Sequence, residues 1–472
     1  MNARLDSVFE SWGSFTATTK DAPGTPGRLS YDPREGIELE LVGTPPGVGL
    51  PALMAMPSLA TVYGRLVDGT LVTLVGCITT KTHMGAGGVG LPTVLIANRM
   101  VAGAHVDDLD QLRVKSYTVE FSSLANWTCA NPVKLAMPTM DGKCISVDVA
   151  FRRPDPIDIV LSDRKFDLAI SHGWNTSLDS GSFRIRWHAG VTIAAHDSMV
   201  LADASQVAWQ CENLMSLLIG RQLSVRSIAL KPADAVSPGS TESPLHLIYH
   251  QRGKHDHPDL HPPQMLLPYS LVKEDFPQIV AKWFAKSEQA VLATNVFFGS
   301  QLLESPVLNV KFLAIIQAAE SYHRSLGMGV YMKQDEYDAA ITEFDFHMPT
   351  GIQGDHRESL KNRLRYGNEY SLRKRLTEML NRIPDDARGR IAGDVSKFVA
   401  KVVDTRNYFT HYDHASENNA LKGKDAFVAS ERLRILVVAN LLHDLGIKDE
   451  TLLSVLERSR EFQHWMSENL PL

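Results

Sequence analysis

The stretch LNVKFLAIIQAAESYHRSLG, residues 308–327, decides how the second half of the chain reads. Leu308, Phe312, Ile315, Ile316, Ala319, Tyr322, His323 and Leu326 recur at three- and four-residue spacing, so they share one face of a helix, and Gly327 supplies the stop. Everything after it keeps the same period. One or two helices are expected within 354–382, and others over 388–410, 427–445 and 449–466. A helical segment of this length can bury one core as a bundle.

Working towards the N-terminus, the period changes to two. CISVDVAF (144–151) alternates Ile145, Val147, Val149 and Phe151 with Ser146 and Asp148, and FRIRWH (183–188) alternates Phe183, Ile185 and Trp187 with polar residues; both read as half-buried strands. In YGRLVDGTLVTLVG, Asp68-Gly69 sits between two apolar runs, where glycine can take the positive φ of a tight hairpin turn. One helix, SQVAWQCENLMSLLIG, interrupts this region and stops at Gly220, and DAVSPGSTESP reads as a loop. The change of period falls near 285–300. The expectation is an α+β multidomain chain: a β-rich part over 1–290 and an all-α helical bundle over 295–472.

Bulk properties narrow the function. The chain has 472 residues, a formal charge of −6 and 44% hydrophobic residues, a balance that argues against coating nucleic acid along its whole length. Any nucleic-acid site is therefore local. Cys77, Cys129, Cys144 and Cys211 form no CxxC pair, which suits reduced cytosolic thiols and gives no cysteine metal site. With no leader-like N-terminus and no run of about 18 apolar residues, the expected location is cytoplasmic, with no membrane partner. No metal or other cofactor is expected.

Three motifs have bland readings that outweigh the functional ones. GAGGVG (85–90) fits a dinucleotide fingerprint, but Leu91-Pro92 and the strand-like TVLIANRM follow it where a helix start is required, so it reads as a hairpin tip. His250, His255, His257 and His261 lack the turn-plus-helix spacing of a zinc site and read as a polar loop. Arg363, Arg365, Arg373 and Lys374, with Arg357, Lys361, Arg375 and the ring of Tyr366, could hold an RNA backbone while aromatics stack on bases; a solvated helix face is the simpler reading.

DTRNYFTHYDH (404–414) is different. On a helical wheel started at Ile391, Val395, Phe398, Val402 and Phe409 lie within about 40° of one line and Arg406 only about 60° from it. A cation so near an apolar stripe is costly unless it meets an anion. Asn407 and His411 are one turn apart, and an ideal helix separates Arg406 from His411 by about 140°. The two converge only if the helix end distorts or a second chain completes the site. The bland alternative is an interhelical salt bridge for Arg406 and a surface His411.

The order Arg-Asn-x-x-x-His near the end of such a helix resembles the R-x(4-6)-H signature of HEPN ribonucleases. FLAIIQAAESYHR (312–324) looks like the first helix of the ApeA-type HEPN domain, and YGRLVDGTLVTLVGC with LANWTC resembles the β-rich domain that precedes it in ApeA anti-phage proteins. The resemblance implies a metal-independent endoribonuclease behind a sensor or regulatory domain, acting in defence on RNA such as tRNA in response to a phage-derived trigger. It implies Arg406, Asn407 and His411 as catalytic residues; Glu320 and His323, on the first helix, are candidate supports for them, packing being the simpler role for His323. It also implies a homodimer through the HEPN domain, with a higher oligomer allowed. The rival reading is a non-catalytic HEPN scaffold that dimerises and binds RNA or a nucleotide, with a ligand-sensing β domain.

Overall fold

The computed structural model describes residues 4–17, 19–20, 22–43, 58–82, 93–140, 143–144, 146–235, 243–251, 258–286, 288–302, 307–327, 329–349, 351–412 and 417–467. The chain divides into two compact units, Met1–Val280 and Ala281–Leu472.

Twelve strands make one antiparallel sheet in the first unit: β1 (Phe9–Thr16), β2 (Thr25–Asp32), β3 (Gly36–Leu41), β4 (Ser58–Leu66), β5 (Leu71–Thr82), β6 (Thr93–Ala102), β7 (Arg113–Phe121), β8 (Ile157–Ile159), β9 (Phe166–Asp179), β10 (Ser182–Val200), β11 (Val225–Pro232) and β12 (Leu245–Tyr249). Their order is β8-β9-β10-β7-β11-β12-β6-β3-β2-β1-β4-β5. Because β5 also pairs with β6, the last six close into a barrel. One edge of β6 serves two partners: 93–97 pair with β3, and 99–102 pair with β12, so β6 joins the barrel to the open sheet.

Closure needs room inside. Phe15 is fully buried, and its ring lies so close to β4 that a Cβ on Gly64 would stand 2.5 Å from it, which reserves that position for glycine. The Asp68-Gly69 turn joins β4 to β5 as expected, with Gly69 at φ 85°. From β10 the chain runs directly into α1 (Leu201–Ile219), which packs on β7 and β10 and ends at Gly220, φ 84°.

CISVDVAF departs from its expected strand. Lys143–Cys144 pairs with Thr139–Met140 and Asp148–Phe151 with Val133–Ala136, two short ladders of which the second encloses the first; Ile145 lies outside the described residues, and Val147 and Val149 are exposed. The alternation is real, but among its described apolar residues Phe151 alone finds cover, its ring centroid 4.5 Å from that of Trp174. The GAGGVG stretch, His255, His257 and most of the loop 234–244 also lie outside the described residues.

The second unit is helical: α2 (Glu288–Gln301), α3 (Leu308–Ser325), α4 (Gln334–Phe346), α5 (Gly354–Arg365), α6 (Leu372–Asn381), α7 (Asp385–Ala392), α8 (Val395–His411), α9 (Gly423–Asp444), α10 (Asp449–Arg458) and α11 (Arg460–Trp465). α3 packs against α2, α6, α8 and α9, burying Phe312, Ile315, Ile316, Ala319, Tyr322 and His323 from its expected face. α9 is apolar all round through Leu433–Leu442, apart from Arg434 and Asn440, as a central helix should be. The helix expected over 388–410 is two: Gly393 (φ 61°) breaks it, and the Asp394 carboxylate accepts the Lys397 N–H at 3.0 Å to start α8 afresh. Ser459 divides α10 from α11 in the same way, capping Phe462.

Trp283 is buried in this unit, with Phe298 of α2 edge-on to it at 6.4 Å. A fragment 281–472 is therefore expected to unfold cooperatively on its own. One starting at 295, cutting α2 and losing Trp283, should be weaker by about 3 kcal/mol or more in urea. Equal midpoints for the two fragments would refute the role given to Trp283.

Candidate active site

The rotation of α8 about its axis is set by its buried side, Phe398, Val399, Val402, Thr405 and Phe409. Phe409 meets Phe312 of α3 edge to face, ring centroids 5.5 Å apart. The Thr405 hydroxyl donates to the Lys401 carbonyl at 2.7 Å and accepts the Leu421 N–H at 2.8 Å, tying the chain that follows α8 back onto it. With those residues inward, Arg406 and Asn407 are left half-buried and His411 exposed.

Arg406 Nη1 donates to Asn407 Oδ1 at 3.3 Å, and among the described residues no carboxylate pairs with it. The interhelical salt bridge of the bland reading is thus not made there. His411 has no hydrogen-bond partner among the described residues. The helix stays regular through His411, and Tyr412 ends it at φ 49°, its N–H bonded to the Tyr408 carbonyl at 2.6 Å. That left-handed conformation costs an L-residue roughly 1–2 kcal/mol. Arg406 and His411 therefore keep the separation of an ideal helix, about 140°, and one α8 cannot aim both at one phosphate.

Several neighbours were not singled out in the sequence. Asn309, at the start of α3, donates to the Tyr412 hydroxyl at 3.2 Å; the rings of Tyr408 and Tyr412 stand 5.7 Å apart; the Lys422 ammonium lies 5.5 Å from the Tyr408 ring. Two rings at i and i+4 beside an exposed imidazole form a surface on which a base can stack. The aromatic pair is visible in the sequence, whereas Asn309 and Lys422 arrive through folding.

The remaining candidates are not gathered at this motif. Glu320 is half-buried, and its charge acts on Arg375. Arg363, Arg365 and Tyr366 are exposed at the end of α5. Arg373 is exposed in the first turn of α6, where Lys374 packs its ammonium over the rings of Tyr370 (3.7 Å) and Tyr331 (4.6 Å). Arg375, read with them as part of a solvated face, is buried. Its Nε donates to the Tyr370 carbonyl at 2.9 Å, Nη1 to His323 Nδ1 at 3.2 Å and Nη2 to Glu369 at 3.2 Å. His323 in turn meets Glu378 at 2.8 Å through Nε2, which must carry the imidazole proton because Nδ1 accepts. Burial lowers the pKa of His323, so the ring is neutral near pH 7.

Among the described residues no group of three or more His, Cys, Asp or Glu is placed to hold a metal ion, and no helix is long and apolar enough to cross a membrane. Two family models match the chain: ApeA N-terminal domain 1 over residues 12–283 and Apea-like HEPN over 313–451. No curated protein and no solved structure matches it.

Proposed function

The chain belongs to the ApeA family, with a C-terminal HEPN domain, and from that premise we propose that its helical unit is a metal-independent endoribonuclease of anti-phage defence. A HEPN domain implies a nuclease or RNA-related role in defence. The finer reading is carried by one observation: Arg406, half-buried on α8, has no carboxylate partner among the described residues and so keeps its charge for an anion. In this reading the anion is an RNA phosphate.

RNA supplies the nucleophile. His411 takes the proton of a 2′-OH, the 2′-oxygen bonds to phosphorus, and the P–O5′ bond breaks. The forked guanidinium of Arg406 holds the charge that builds on the phosphate oxygens, and Asn407 orients the guanidinium. Since one α8 separates Arg406 from His411, two copies pair about a two-fold axis. His411 of one copy and Arg406 of the other then meet at the same phosphate, and the His411 that took the 2′-OH proton returns it to the departing 5′-oxygen. The substrate is a structured cellular RNA such as tRNA. The β-rich unit senses a phage-derived trigger and restrains the cleft until it arrives, in a cytoplasmic protein.

Incubating the purified chain with total tRNA, with and without EDTA, tests this. Cleavage is expected in both, leaving a 2′,3′-cyclic phosphate or 3′-phosphate on one fragment and a 5′-hydroxyl on the other, which polynucleotide kinase labels without phosphatase treatment. EDTA-sensitive cleavage with 5′-phosphate ends would refute the mechanism. RNA binding without any cleavage would favour the non-catalytic scaffold.

A further inference from the structure

α4 and α5 form a helical hairpin that buries none of its described side chains, unlike every other helix pair around α3 and α9. Its internal contacts are few. The Tyr337 hydroxyl donates to the Leu364 carbonyl, and Ile341, Leu360 and Leu364 are only half-buried, while Phe344 is 53% and Tyr366 71% exposed. Isolated helices of 12 or 13 residues are marginal in water, and those in proteins owe most of their stability to tertiary packing. This pair has little of it.

The charge is divided between the helices. α4 carries five acidic residues and no Lys or Arg; α5 carries four basic residues and two acidic ones. Asp335, Glu336 and Glu343 of α4 are exposed, as are Arg363 and Arg365 of α5, and none of these five forms an ion pair among the described residues. Over 333–366 the hairpin holds seven acidic and five basic residues, so a polyanion such as RNA gains nothing from it as a whole. An acidic helix beside a basic one is self-complementary under a two-fold rotation, in which each α4 meets the other copy's α5.

We propose that the α4–α5 hairpin is a docking surface for a second copy of this chain, the acidic helix of each copy lying on the basic helix of the other, with Phe344 and Leu360 covered between them. The proposal rests on the reading that the helical unit pairs across α8, and adds a second interface through which two such pairs join.

Two full-length variants test it. One carries Asp335→Lys, Glu336→Lys and Glu343→Lys; the other carries Lys361→Glu, Arg363→Glu and Arg365→Glu. Each alone sets like charges against each other across the contact and should weaken self-association by a factor on the order of 100, halving the native mass seen by light scattering. An equimolar mixture should recover the wild-type mass, because every α4 then finds an α5 of opposite sign; charges paired only within a chain cannot be rescued by mixing. Where a triple variant loses its helical circular dichroism, the single reversals Glu343→Lys and Arg365→Glu serve, with smaller shifts and the same rescue. If both variants keep the wild-type mass, or mixing fails to restore it, the hairpin proposal falls and pairing across α8 stands. A wild-type chain that stays monomeric overturns both.

Discussion

His411→Ala is expected to cut RNA cleavage by a factor on the order of 100 or more while moving the unfolding free energy by less than about 1 kcal/mol. The separation of the two effects comes from where His411 sits. It is exposed on the last turn of α8, with no hydrogen-bond partner among the described residues, so its loss exposes no buried group and opens no cavity. The anchoring of α8 belongs to Phe409 against Phe312 and to the Thr405 hydroxyl, which the substitution leaves untouched. Arg406→Lys should remove most activity as well, since an ammonium keeps the charge but not the planar fork. Cleavage of total tRNA and urea unfolding, measured on the same preparations, decide the matter. A His411→Ala protein with full activity would show that this motif is not the engine, and one that unfolds early would show that it serves the fold.

Arg375→Ala should have the opposite profile, losing about 3–5 kcal/mol of stability. Arg375 is 2% exposed and joins the end of α3 to the start of α6 by bonding His323, Glu369 and the Tyr370 carbonyl at once. Truncating it leaves the His323 nitrogen and the Tyr370 carbonyl without their donor beside a void, while Glu369 keeps Arg324 at 2.9 Å, which is why the loss exceeds that of a surface arginine. The same network predicts acid sensitivity. His323 has a folded pKa below the ordinary 6.5, so the unfolded chain binds the extra proton first, and stability falls as the pH drops below about 6.5. Urea midpoints of wild type at pH 5 and pH 7.5 check the sign. Replacing His323 with glutamine should flatten that dependence, and an Arg375→Ala chain as stable as wild type would mean that the network is ornamental.

Periodicity carried most of the architecture. The β-rich front, the helical back and the core face of α3 follow from spacing alone, because a strand turns a side chain over every residue and a helix returns to one face every three or four. The stop at Gly220 and the turn at Gly69 were legible for a similar reason, since positive φ favours glycine. Element ends were less so. The wheel that placed Arg406 near an apolar line started at Ile391, which belongs to α7, and the break at Gly393 lies between them. Even so, Phe398, Val402 and Phe409 are buried, because α8 is regular from Val395 onward.

The residues of the candidate site were readable because Arg406, Asn407 and His411 are close in sequence and their types carry the chemistry. Their setting was not. Whether Arg406 has a carboxylate, and which of the clustered arginines points inward, depends on side chains from distant segments. Arg373, Lys374 and Arg375 are consecutive, yet one is exposed, one lies over two tyrosine rings and one is buried against His323 from more than 50 positions away. Barrel closure is of the same kind, for β6 can meet β5 on one edge and both β3 and β12 on the other only once the sheet has curled. Local sequence determined the period, the turns and the chemical types; the tertiary structure decided which charges are paired and which are free, because desolvation and ion pairing are set by neighbours in space and not along the chain.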